Sequence, residues 1–291
     1  MATLRIGTCS WKYPSWKGII YSDKAEPNYL EEYSHHYKTV EIDQWFWSLI
    51  TQNKILLPKE EDVKSYVDSV PDDFKFTVKN PNSISLTHFY NIDRTKLLKP
   101  NPHFLSAELF NKFLETLEPL SNKIGVLMFQ FEYLNKQKMS GLDEFLNKFG
   151  SFVHKLDKRY TYGVELRNPN YLRKPFFEFL ERNDLAMVFL QGYFMPHIWN
   201  TFFEFKDHIN STAVIRLHGP DRTGMEEKTN NIWNKIVEPK DDEINLVAEM
   251  IHSLTQKDVD LYLNINNHYE GSAPLTIEKL KQQLIHLPSP Y

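Results

Sequence analysis

The chain has 291 residues, 41% hydrophobic and 25% charged, which suits a globular protein with room for one large domain. A formal net charge of −4 at pH 7 argues against a general affinity for nucleic acid or acidic membranes. No apolar run approaches the roughly 20 residues that span a bilayer, the N-terminus lacks a leader pattern, and the one cysteine, Cys9, allows no internal disulfide. A cytoplasmic protein without a membrane partner is the expectation.

In chain order, a strand is expected at 4–8, a helix over 29–37, and strands at 39–43 and 74–79. A long excursion at about 80–123 should hold a loop and helical segments, one of them over 107–117. Strands follow at 124–130 and 162–165, then a helix over 175–183 with proline near its first turn. The remaining strands are expected at 186–190, 213–217 and 260–265, and the remaining helices over 244–254 and 275–284. Eight short apolar strands alternating with helices predict an α/β fold, a TIM-type (β/α)8 barrel occupying residues 1–291 as a single domain. A doubly wound open sheet is the alternative, but no Gly-x-Gly-x-x-Gly turn follows the first strand.

Several of these strands end in charged or amide residues: Val40-Glu41-Ile42-Asp43, Phe76-Thr77-Val78-Lys79, Val126 to Gln130, Val164-Glu165-Leu166-Arg167, Ile215-Arg216-Leu217-His218 and Leu263 to Asn267. Strand side chains alternate faces, and the outer face of a barrel packs on apolar helices. The charged parity should therefore point inward. Glu41, Asp43, Lys79, Gln130, Glu165, Arg167, Arg216, His218 and Asn266 would ring the C-terminal mouth, where barrel active sites form. The competing expectation is an internal ion network, with three acids matched by three bases and no ligand.

The candidate chemistry follows from residue type. Glu41 and Glu165 could serve as an acid/base pair about 5–10 Å apart, as in glycosidases. His218, two residues after Arg216, suits proton transfer or phosphate contact, and His88 could close over the mouth. A divalent metal would draw on Glu41, Asp43, His88, Glu165, His218 and His268. No His-x-x-x-His or Cys-x-x-Cys pair exists, however, and Lys79, Arg167 and Arg216 would oppose a cation, so a metal is not favoured. No organic-cofactor motif is present. The segment from Asn266 and Asn267 through Gly271 and Pro274 leads into a helix, which with Arg216 suggests an anion site. Cys9 reads as a small packed thiol, not a nucleophile. Trp11, Trp45 and Trp47 could stack a sugar or base or simply pack the loops.

Taken together, Ile6 to Tyr13 with Trp16 and Gly18, Val40 to Ile42, Phe76 to Lys79 with Thr87-His88, Gln130-Phe131, Gly163 to Pro169, Arg216 to Gly219, and Asn266 to His268 form an ordered set. On these motifs the chain resembles the YecE-like family, or "domain of unknown function 72", over nearly its whole length. The resemblance implies a TIM-type barrel and no particular activity. Two segments depart from it. Asp43 to Ser48 stands where the family reads roughly Asn-Ser-Thr-Phe-Tyr-Arg, and Leu190-Gln191-Gly192 stands where it often has an Asp.

The function expected is that of an enzyme, a hydrolase or isomerase acting on a small polar ligand, phosphorylated or sugar-like. Glu41, Glu165 and His218 would be catalytic. Trp11, Asp43, Lys79, His88, Gln130, Arg167, Arg216, Asn266 and Asn267 would contact the substrate. The alternatives are a non-catalytic nucleotide or single-stranded nucleic-acid binder and, by fold analogy, a metal-assisted phosphodiesterase.

Overall fold

A computed structural model describes residues 2–24, 26–52, 54–90 and 97–286. The chain runs β1 (Leu4–Thr8), α1 (Tyr29–Ser34), β2 (Thr39–Ile42), β3 (Leu49–Thr51), β4 (Lys54–Ile55), α2 (Glu60–Asp68), β5 (Lys75–Lys79), α3 (Asn82–Ser85) and α4 (Ala107–Thr116). It continues β6 (Ile124–Phe131), α5 (Leu142–Val153), β7 (Tyr162–Leu166), α6 (Lys174–Arg182), β8 (Ala186–Gly192), α7 (Ile198–Phe205), β9 (Thr212–Gly219), α8 (Arg222–Thr229), α9 (Asp241–Gln256), β10 (Asp260–Ile265) and α10 (Ala273–His286). Eight parallel strands close into a barrel in the order β1-β10-β9-β8-β7-β6-β5-β2, which is chain order around the ring. This is the single-domain TIM-type barrel that the alternation of strands and helices predicts.

Parity sets the two sides of the wall. Val40, Ile42, Phe76, Val78, Val164, Leu166, Ile215, Leu217, Leu263 and Ile265 join the core between strands and helices. Val126, Met128, Val188, Val214 and Tyr262 form a separate apolar cluster that plugs the inside. In register, Val214 pairs with Tyr262, and two residues further on Arg216 pairs with Asn264. The polar layer therefore stacks directly on the apolar plug, as successive layers do in this fold.

The eight expected strands all form, and the five expected helices lie within a few residues of their predicted bounds. Strand β2 ends at Ile42, one residue before the expectation, which leaves Asp43 in an exposed turn whose carbonyl accepts from Phe46 N at 3.1 Å. The expected helices omit α2, α5, α7 and α8. Helix α2 is mostly charged and buries only Val63 and Tyr66. Helix α5 carries Gly150 in its interior, where a Cβ would lie 3.2 Å from the Phe179 ring of α6, so close helix packing outweighs propensity. The excursion at 80–123 holds α3, α4 and a 3-10 turn over Glu118–Lys123, and residues 91–96 within it lie outside the described residues.

The ring has a narrow seam. Strand β1 pairs with β10 through five residues, Leu4 to Thr8, but with β2 only at Thr8↔Val40. The buried Tyr33 hydroxyl of α1 fills the gap: it accepts from Thr8 N at 2.9 Å and donates to Thr39 O at 3.0 Å. Gly7 permits this approach, since a Cβ there would sit 2.0 Å from the Thr39 carbonyl oxygen.

Candidate active site at the barrel mouth

Arg216 of β9 is the centre of the polar layer, 2% exposed, with Glu41 at 0% and Glu165 at 1%. Its Nε and Nη2 each donate to a different oxygen of Glu41 at 2.7 Å. Its Nη1 donates to Glu165 and lies 3.4 Å from Gln130 Oε1. One guanidinium thus binds two carboxylates, a two-pronged geometry that lysine could not reproduce. Glu165 also accepts from Arg167 Nε at 3.0 Å. Asn264 donates to Thr77 Oγ1 at 2.8 Å and approaches Glu41 at 3.5 Å, while its own buried Oδ1 has no partner among the described residues.

The two carboxyls shift in opposite directions. Burial raises the pKa of Glu41, and Arg216 and Lys79 do not offset it. Burial also pushes on Glu165, but Arg216, Arg167 and Lys79 together outweigh it and hold that carboxyl below its ordinary range. Glu41 is therefore the carboxyl more readily protonated, the arrangement that divides acid from base between paired groups.

Lys79 closes β5 with its Nζ 4.1 Å from the centroid of the Phe46 ring. It makes no hydrogen bond or ion pair among the described residues, because Arg216 already engages both nearby carboxylates. Burial, then the positive charge of Arg216, lower its pKa.

His218 pairs with Cys9, Nε2 to Sγ at 3.4 Å, and its Nδ1 lies 3.4 Å from Tyr193 Oη. Burial, then Arg216 and Arg167, hold the imidazole well below its ordinary pKa. Burial, then Glu41, push the Cys9 thiol up. The pair is accordingly a neutral imidazole beside a neutral thiol. Tyr193 stands at φ 54°, a costly conformation for a bulky residue, and places its ring both against His218 and under Arg167, whose Cζ is 4.7 Å from the centroid. Residues in such strained backbone cluster at functional sites.

Glu41, Glu165, Arg216, Arg167 and Gln130 are thus in contact, and Lys79 and His218 border them through charge. Asp43 is at the exposed rim. Asn266 and Asn267 lie past the end of β10 and shape the loop instead: Asn266 Oδ1 accepts from His268 N at 3.0 Å, and Asn267 Oδ1 accepts from Ala273 N at 2.9 Å. The anion place expected before α10 holds the chain's own Glu270, which accepts from Thr276 Oγ1 at 2.8 Å and Lys279 Nζ at 2.6 Å. His88 bonds Thr87 Oγ1 at 2.9 Å. Trp11 packs edge-on against Tyr66, which also stacks with Trp45, whereas Trp47 is exposed. Gln191, at the other departure, points outward and holds α7 and α9 together through Ile198 N and Glu243.

Asn264, Thr77, Tyr193 and the Cys9–His218 contact were not expected. Asn264 and Thr77 share the inward parity of Asn266 and Lys79, so alternation alone could have found them. Tyr193 depends on a backbone turn, and Cys9 on strand order, neither of which leaves a local sequence signal. Among the described residues, no group of three or more His, Cys, Asp or Glu side chains converges as a metal ion would require. No helix among them is long and apolar enough to cross a membrane.

Comparison with known proteins agrees with this architecture. UPF0759 protein YecE of Escherichia coli K12 is 26% identical over 174 residues, 58% of this chain and 50% of that protein, so the chain spans about half the length of the curated relatives it matches. A DUF72 family protein of Enterococcus faecalis V583 superposes with a TM-score of 0.69 at 19% identity, covering 99% of this chain and 97% of the other. One of Thermotoga maritima MSB8 gives 0.69 at 19%, covering 98% and 100%. At such identity these structures establish the fold alone. The family model described as "Protein of unknown function DUF72" matches residues 5–289, and the chain belongs to that family.

Proposed function

We propose that the mouth is an enzyme site, a hydrolase or isomerase site for a small polar ligand carrying an anionic group, phosphorylated or sugar-like. The observation that carries this reading is Arg167. Its Nε is bonded to Glu165 and its guanidinium rests on Tyr193, yet neither Nη donates a hydrogen bond among the described residues, and the side chain is 27% exposed. Two fixed, free donors above a layer whose acids are already neutralised suit the oxygens of a phosphate or carboxylate. Beneath them, Glu41 can give and take a proton, and His218 is held as a neutral base. Gln130 adds an amide at the same level.

The test is a thermal-shift screen with sugar phosphates, sugar acids, neutral sugars and nucleotides, since a ligand that binds the folded state raises Tm. Anionic sugars should raise Tm in the parent. Arg167→Ala should keep its fold and lose that rise, in line with the about 1.5–3 kcal/mol of a charge-assisted hydrogen bond. Equal stabilisation of parent and variant would rule this reading out.

A second reading has its own support. Trp47, Tyr90, Tyr133 and Phe194 are 63%, 75%, 59% and 97% exposed, and all lie on loops that follow barrel strands. Such rings offer stacking surfaces for bases, and a nucleotide or single-stranded nucleic acid would join them to Arg167. Binding of an oligonucleotide that weakens steeply with salt would favour it, and salt-independent binding would count against it.

A further inference from the structure

We propose that Lys79 is an amine nucleophile whose Nζ condenses with a carbonyl carbon of the bound ligand, which makes the substrate class an aldehyde or ketone. The proposal rests on the mouth being a ligand site, and it specifies the chemistry of the ligand's reacting end.

Three features of the geometry point this way. Lys79 is the last residue of a barrel strand, where this fold places reacting groups. It has no anionic partner at contact distance among the described residues, and its Nζ sits over the face of Phe46. Of the acids whose charge reaches it, Glu41 and Glu165 are committed to Arg216, and Asp43 stands at the exposed rim. A lysine that is desolvated, or next to another cation, is the form in which lysine acts as a nucleophile. Burial and Arg216 both favour its neutral form, in keeping with this role.

The step balances without a redox partner. The nitrogen lone pair forms a C–N bond while the C=O π electrons move to oxygen. The nitrogen loses its protons to that oxygen, which leaves as water, and a C=N bond remains. The overall change is amine plus carbonyl giving imine plus water. Neutral His218 and the more readily protonated Glu41 are the groups of the layer suited to carry the protons. Arg167, two strands round the ring from Lys79, would hold an anionic end of the same molecule.

The test uses the full chain at neutral pH with limiting formaldehyde and sodium cyanoborohydride, which reduces each imine to a stable amine that peptide mass spectrometry can locate. Lys79 should be modified several-fold faster than exposed lysines such as Lys64. Lys79→Arg should lose that one site while its circular dichroism matches the parent. Modification of Lys79 no faster than Lys64 in the folded parent overturns the proposal. A parallel arm replaces formaldehyde with glyoxylate, which carries a carboxylate. A preference for glyoxylate at Lys79 in the parent that is lost in Arg167→Ala supports both readings. Fast labelling by formaldehyde with no effect of Arg167→Ala on glyoxylate keeps the nucleophile and overturns the anion site instead.

Discussion

Arg216 decides how the two inner carboxylates behave, and it does so from complete burial. Removing it would leave Glu41 and Glu165 in the barrel with too few partners. We expect Arg216→Ala to cost about 3–5 kcal/mol, the range for breaking a buried ion pair, as read by urea unfolding. Arg167→Ala should cost no more than about 1 kcal/mol in the same measurement, because its pair is partly solvated. A loss at Arg216 as small as that at Arg167 would mean that the layer relaxes or hydrates freely. The same residues show how far alternation can be read. Glu41, Glu165 and Arg216 meet because a period of two forces their side chains to one face. Asp43 and Asn266 fit that period in sequence, but each stands one residue past the end of its strand, where the chain turns into a loop and the period no longer applies.

At the level of elements, the join between β1 and β2 rests on a phenol. Tyr33 supplies the acceptor for Thr8 N and the donor for Thr39 O that a longer ladder would have provided. Tyr33→Phe keeps the ring and removes both main-chain bonds, together with the one the hydroxyl accepts from Thr8 Oγ1 at 2.9 Å, leaving two buried main-chain groups unpaired. The expected cost is about 1–3 kcal/mol, with faster hydrogen exchange at the Thr8 amide; unchanged exchange there would refute the role given to the hydroxyl. None of this is visible in sequence, where Tyr33 is one aromatic among many in an apolar helix face. The β3–β4 hairpin was equally unreadable, since strands of three and two residues are too short to display a period.

For the molecule as a whole, the polar layer makes stability depend on pH. His218 has a folded pKa well below 6.5. Between that lower value and 6.5 the unfolded chain holds a proton that the folded chain lacks, so this group's contribution rises with pH through the window and is flat above it. Glu165 acts with the same sign below 4.5. Glu41, raised by burial, acts oppositely above 4.5. Replacing His218 by Asn should therefore flatten the fall in urea midpoint between about pH 7 and pH 5; an unchanged slope would assign the dependence to other groups. The barrel itself was legible because its signal repeats eight times along the chain, whereas the site is joined by contacts between different strands, such as Glu41 with Arg216, 175 positions apart.

The phenol-bridged join has a further consequence for how the barrel breathes. A closed ring of strands opens at its weakest link, and here that link adjoins the strand that leads directly to Cys9. The thiol is shut in while the ring is closed. Its rate of exchange with a soluble disulfide would thus act as a clock for ring opening, reporting the lifetime of the closed mouth from a single sulfur atom.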